Sequence, residues 1–274
     1  MRIVPSLFRW ATGLAVAAVA ATGALAPAWL APAWAEGAAM SAPECSAPPD
    51  LARLDYPLTR LAHRIAGGQP ITIVAIGSSS TAGAGASSPA MSYPSRLAVE
   101  LRTLFPRAEI KVVNRGANGE TTSEMLARFD SDVFAEKPDL VLWQVGSNSV
   151  LRDMPLAGAK TRLAEGLKRL RASGVDVILM NPQYAPKVIS KREAEGMVDL
   201  IDAAARETHV DLFQRYAVMR YWRLTEGIPF ATFVSPDELH MNDWSYGCIA
   251  KLLAGAIHEA ASRATVTATA RGRR

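Results

Sequence analysis

Two cysteines and four histidines in 274 residues leave little for metal or redox chemistry. None of His63, His209 and His258 stands in a spaced set with cysteine, histidine or acid, so no metal site is expected. Charge of one sign is also scarce. The formal net charge of +4 owes much to Arg2 and Arg9 near the start and Arg271, Arg273 and Arg274 at the end. The body between them is nearly neutral, which is not the footprint of a nucleic-acid binder, and no nucleic-acid partner is expected. No apolar run reaches the ~20 residues of a spanning helix, because Ala11 to Ala26 falls short and is succeeded by Pro27 and Pro32. A stable membrane anchor is therefore not expected. Internal repeats and a long apolar lid segment are missing too. The thiols leave two readings open: one disulfide between Cys45 and Cys248, tying an N-terminal arm to the last helix in an oxidising compartment, or two free thiols.

What is present begins with a leader. Arg2 and Arg9, the apolar run, and Ala33-Trp34-Ala35 ahead of Glu36 read as a signal peptide over residues 1–35, implying a periplasmic or secreted protein. Residues 36–66 form an Ala-, Ser- and Pro-rich arm and lead-in, residues 67–264 one domain, and residues 265–274 a flexible basic tail. Within the domain, strand-like and helix-like segments alternate. Ile71 to Ile76, Glu109 to Val113, Asp139 to Val145, Val175 to Met180 and Val210 to Phe213 are short runs suited to buried strands. Tyr93 to Phe105, Thr121 to Phe129, Leu156 to Ala172, Lys191 to Thr208 and Trp244 to Ala264 have helical spacing. This alternation predicts an α/β fold, a three-layer α/β/α sandwich with a parallel five-stranded sheet.

Ligands of open α/β sheets bind beyond the carboxyl ends of the strands. Three small-residue motifs fall there: Gly77-Ser78-Ser79-Ser80, Asn118-Gly119-Glu120-Thr121 and Gly146-Ser147-Asn148-Ser149. A fourth, Asp237-Glu238-Leu239-His240, comes after the fifth strand. A hydroxyl, a histidine to take its proton and a carboxylate to orient that histidine are the requirements of nucleophilic acyl transfer. Composition alone does not choose among Ser78, Ser79 and Ser80. The elbow of the α/β-hydrolases, Gly-x-Ser-x-Gly, is not matched, because Thr81 stands at the last position.

The four blocks, in this order over roughly residues 70 to 262, resemble those of the SGNH hydrolases, also called GDSL esterases and lipases. The resemblance implies a flavodoxin-like fold, ester hydrolysis without metal or organic cofactor, and specific roles. Ser79 would be the nucleophile, with Asp237 and His240 as its partners. The backbone N–H groups of Ser79 and Gly119 and the side-chain amide of Asn148 would form the oxyanion hole. Two positions depart from the family pattern: Ser78 and Ser149 each stand where an aspartate is usual, which predicts a weaker hold on the serine loop. Plainer readings exist for Asn148 as a turn residue, for Asp237 as a solvated acid, and for Trp143 as core.

The function expected is an exported serine esterase acting on short-chain acyl esters, O-acetyl on carbohydrate first, with a small-molecule or carbohydrate ester as its partner. The alternatives are a lysophospholipase, longer-chain acyl esterase or thioesterase, and a catalytically weak envelope-binding module. Substrate choice would rest with loops such as Ala84 to Ser92, Leu151 to Pro155, Gln183 to Ser190 and Thr225 to Pro236, whose sequences carry no readable code.

Overall fold

The computed structural model describes residues 42–271. The expected signal peptide lies outside them, as do residues 36–41 of the arm and 272–274 of the tail. Five strands form one sheet: β1 (Ile71–Gly77), β2 (Ile110–Gly116), β3 (Leu140–Gln144), β4 (Asp176–Met180) and β5 (Asp211–Phe213). All pair in parallel, in the order β2-β1-β3-β4-β5. The chain reverses its direction of travel between β1 and β3, and a crevice opens at such a point outside the carboxyl ends of the strands.

Period-2 alternation explains why both faces are covered. Ile71, Ile73 and Ala75 of β1 enter one core together with Leu140, Leu142, Ile178 and Met180. Val74 and Ile76 enter the other with Val141, Trp143, Val177 and Leu179. The first core is closed by α1 (Thr59–Ala66), α3 (Tyr93–Leu104), α10 (Arg215–Leu224) and α12 (Asp243–Arg271). The second is closed by α4 (Thr122–Ala127), α5 (Phe129–Asp132), α7 (Leu156–Ala172) and α9 (Ala194–Thr208). Four short helices, α2 (Ser79–Ala82), α6 (Ser147–Leu151), α8 (Pro186–Ile189) and α11 (Phe230–Phe233), sit in the loops. The α/β sandwich read from the sequence is the fold.

Several boundaries differ from the sequence reading: β2 runs on to Gly116, the helix read as Thr121 to Phe129 divides into α4 and α5, and α9 begins at Ala194. Residues assigned to the lead-in belong to the first core, where Leu54, Leu58, Leu61 and Ala62 are buried. Helix α10 comes directly after β5, in a stretch for which the pattern gave no element. The last helix runs to Arg271, into the segment assigned to the tail, because no glycine or proline occurs between Gly255 and Gly272.

Cys45 and Cys248 are joined by a disulfide across 203 residues of chain. Beside it the indole N–H groups of Trp222 and Trp244 donate to the carbonyls of Ser46 and Pro43, at 2.8 and 3.0 Å. The arm from residue 43 thus lies on α10 and α12. Among the described residues no helix is long and apolar enough to cross a membrane.

Candidate active site

The serine loop starts where β1 stops. Ser78 precedes α2 without capping it through its side chain; its backbone N–H and hydroxyl both donate to the side-chain carbonyl of Gln144, at 2.8 and 3.0 Å. Thr81 donates to the same oxygen at 3.3 Å. The missing aspartate at position 78 is thus answered by an amide at the end of the neighbouring strand β3. Ser78 and Ser80 are buried while Ser79 is only partly so, and its hydroxyl is the one of the three that meets His240.

The Asp237–His240 loop lies between α11 and α12. Asp237 Oδ1 accepts the backbone N–H groups of Leu239 and His240 at 3.0 and 2.9 Å, and Oδ2 lies 2.5 Å from His240 Nδ1. Partial burial pushes this carboxyl up, but the three hydrogen bonds and the nearby ring outweigh it and hold the group at about 2. A carboxylate only accepts, so Nδ1 carries the proton and Nε2 presents its lone pair. That lone pair meets Ser79 Oγ at 2.7 Å. A bridge between Val234 and Met241 and the Ser235 N–H to His240 carbonyl bond (2.8 Å) pin the loop at its base.

The two remaining loops lock to these. After β2, Ala117 donates its N–H to the Gly77 carbonyl, as does Arg128, which also pairs with Glu120 at 2.7 Å. Gly119 sits at φ +78°, a left-handed conformation that glycine adopts at little cost, and its carbonyl accepts from Arg152 at 2.6 Å. After β3, the Asn148 side-chain amide donates to the Glu120 carbonyl at 2.8 Å. A primary amide has two N–H groups, so this bond aims the side chain and leaves the other for a ligand. Thr121 and Glu124 form a capping box that starts α4 immediately after the glycine turn. Ser149 is buried and lines a hollow of about 290 Å³ with Thr121, Thr122 and Met154.

The structure therefore brings Ser79, His240 and Asp237 into one hydrogen-bonded line, with Gly119 and Asn148 on loops tied to the serine loop. Trp143 is core, fully buried. Among the described residues no cluster of His, Cys, Asp or Glu could hold a metal ion. Gln144, Gln183 and Arg215 were not singled out from the sequence. They are isolated polar residues with no spacing signature, and their position at or just after a strand end or at a helix start was the only clue.

A nucleophile, base and acid aligned at the carboxyl edge of a parallel sheet is the arrangement by which serine hydrolases carry out acyl transfer. The chain belongs to the Non-GDSL lipase-like family, whose model matches residues 44–263, and with it to the SGNH/GDSL hydrolases. Similar curated proteins include an acetylxylan esterase of Geobacillus stearothermophilus, 35% identical over 94 residues, or 31% of this chain and 43% of that protein. Esterase TesA of Pseudomonas aeruginosa is 35% identical over 85 residues, covering 30% and 42%. The chain thus spans under half the length of these two relatives. A solved two-domain esterase active on acetylated mannans superposes with a TM-score of 0.66 at 19% identity, over 77% of this chain and 56% of that one. It shares the fold.

Proposed function

We propose that this protein is an exported serine esterase that removes short acyl groups, O-acetyl on carbohydrate first among them. The observation that carries the reading is the unbroken line from Ser79 Oγ through His240 to Asp237. Ser79 Oγ attacks the ester carbonyl as His240 Nε2 takes its proton, and Asp237 stabilises the imidazolium that forms. The backbone N–H groups of Ser79 and Gly119 and the second N–H of Asn148 receive the oxyanion, each worth on the order of 3 kcal/mol of barrier. Collapse of the intermediate expels the alcohol, which takes the proton back from His240. Water then repeats the sequence on the acyl-serine, and no step calls for a metal or organic cofactor.

Support for a carbohydrate ester comes from the acetylxylan esterase and the mannan-active esterase, together with the ground beside His240. A hollow of about 520 Å³ there is lined by Gly85, Pro186, Phe230, Val234 and Glu238 among others. A lining that is mostly apolar with a carboxylate and an amide among it suits a sugar ring, which has apolar C–H faces and hydroxyl edges. The same hollow would accept a longer acyl chain, the second reading. Export is supported by the leader pattern and by the Cys45–Cys248 disulfide, which belongs to an oxidising compartment.

Ser79→Ala should lower hydrolysis of p-nitrophenyl acetate and acetylated xylo-oligosaccharides by about 10³-fold or more. Undiminished turnover would remove Ser79 from the chemistry, and failure of the wild type to react with a fluorophosphonate would favour a binding module. A p-nitrophenyl ester series separates the substrates. Short-chain preference gives falling kcat/KM beyond acetate, whereas a chain-accepting pocket gains about fourfold per methylene.

A further inference from the structure

Arg215, the first residue of α10, is completely buried. Burial pushes its guanidinium down to about 10, so it stays a cation at neutral pH. Among the described residues no carboxylate lies within ion-pair reach, and the groups acting on it electrostatically are the Tyr93 and Tyr246 phenols. A buried unpaired charge is costly, and such a group persists where its hydrogen bonds do something an apolar side chain would not.

Its donors reach three acceptors on two strand-end segments, those after β1 and β4. Nε donates to the Asn181 carbonyl just after β4 at 3.0 Å. Nη1 donates to Ser80 Oγ, beside the nucleophile, at 3.0 Å, and Nη2 to Gln183 Oε1 at 3.1 Å. Gln183 is itself a relay. Its Oε1 also accepts from Ser147 Oγ at 2.8 Å, next to Asn148, and its Nε2 donates to the carbonyl of Leu239 at 3.2 Å, next to His240. One guanidinium fork and one amide thus touch the immediate neighbours of the nucleophile, the base and the oxyanion-hole asparagine. Gln183 is buried like Arg215, so water does not compete for these bonds.

We infer that Arg215, acting with Gln183, is the positioning residue that sets Ser79, His240 and Asn148 in register with one another. The inference rests on the esterase reading. The planar fork matters as much as the charge, since a lysine ammonium cannot span Ser80, Gln183 and Asn181 with the same fixed geometry.

The test measures kcat and KM for p-nitrophenyl acetate, the rate of fluorophosphonate labelling at Ser79, and thermal midpoints, for wild type, Arg215→Lys, Gln183→Met and Ser80→Ala. Ile249→Val, a core change on α12 at a side chain that makes no hydrogen bond, serves as a control for lost stability alone. Misplacement by a fraction of an ångström predicts kcat and labelling down about 10- to 100-fold in Arg215→Lys and Gln183→Met, with KM within about twofold. Ser80→Ala, which removes one link, falls by less. Ile249→Val keeps its kcat below its melting temperature. If Arg215→Lys does not fold, Gln183→Met and Ser80→Ala carry the same prediction. Variants that melt earlier yet keep wild-type kcat and labelling overturn the positioning role while leaving the esterase reading intact. A wild type that neither hydrolyses nor is labelled overturns both.

Discussion

Asp237 shows how one residue is committed to a single charge state. Its two oxygens are occupied by two backbone N–H groups and the His240 ring, and these bonds hold the carboxyl at about 2 despite partial burial. The folded value lies below the ~3.9 of an unfolded chain, so its contribution to stability is full above about pH 4 and is lost as pH falls towards 2. The urea-midpoint difference between wild type and Asp237→Asn should be flat from pH 7 to 4 and shrink only below. Shrinkage starting near pH 6 would mean that another group sets it. The same substitution lets the ring sit in the wrong tautomer, and kcat should fall about 10²- to 10⁴-fold. The candidate site residues were legible because acyl transfer demands particular side chains at strand ends. Gln144 was not: any strand can end in glutamine, and only the folded sheet places its amide beneath Ser78. The expected weakness at position 78 is offset by that amide.

Among the elements, α7 illustrates how a helix face is cut to fit the sheet. The bounds Leu156–Ala172 agree with the amphipathic pattern in the sequence. Its Gly166, however, is explained only by what it faces. A β-carbon there would lie 2.1 Å from the Trp143 ring, which is fully buried on β3. Gly158 on the same helix has no neighbour within 4 Å of such a carbon. Replacing Gly158, in the first turn of α7, with alanine should therefore stabilise the protein modestly, by up to about 0.5 kcal/mol, through helix propensity alone. Replacing Gly166 should destabilise it by about 1–3 kcal/mol, because overpacking outweighs that gain. Thermal midpoints moving in opposite directions would bear this out, and a shared direction would refute it. The strands were readable for a related reason: two-sided burial writes continuous β-branched runs. Helix α1, with only Leu61 and Ala62 fully buried, wrote too little. Helix α10 begins with Arg215, which reads as exposed until the network around it is seen.

For the whole molecule, the covalent tie counts most. Closing a loop of 203 residues restricts the unfolded chain strongly, and loss of such a bond typically costs about 2–5 kcal/mol. The Cys45→Ser, Cys248→Ser double variant should lose stability by that amount yet hydrolyse p-nitrophenyl acetate at the wild-type rate well below its midpoint, since the bridge joins the arm to α12 and not to the loops that carry Ser79, Asn148 or His240. Equal melting of reduced and oxidised protein would count against it. Neither the pairing nor the seating of the arm on Trp222 and Trp244 was decided by the sequence, which holds the cysteines but not the distance between them.

The proposed nucleophile, Ser79, and its proposed base, His240, are separated by 161 residues. In biosynthesis, Ser79 is made early and His240 only after all five strands have been translated. A growing chain therefore has no competent hydroxyl while its substrate-facing crevice is still incomplete. A reagent that reacts with activated Ser79 would count the molecules in which the Asp237–His240 loop has arrived beside the serine loop.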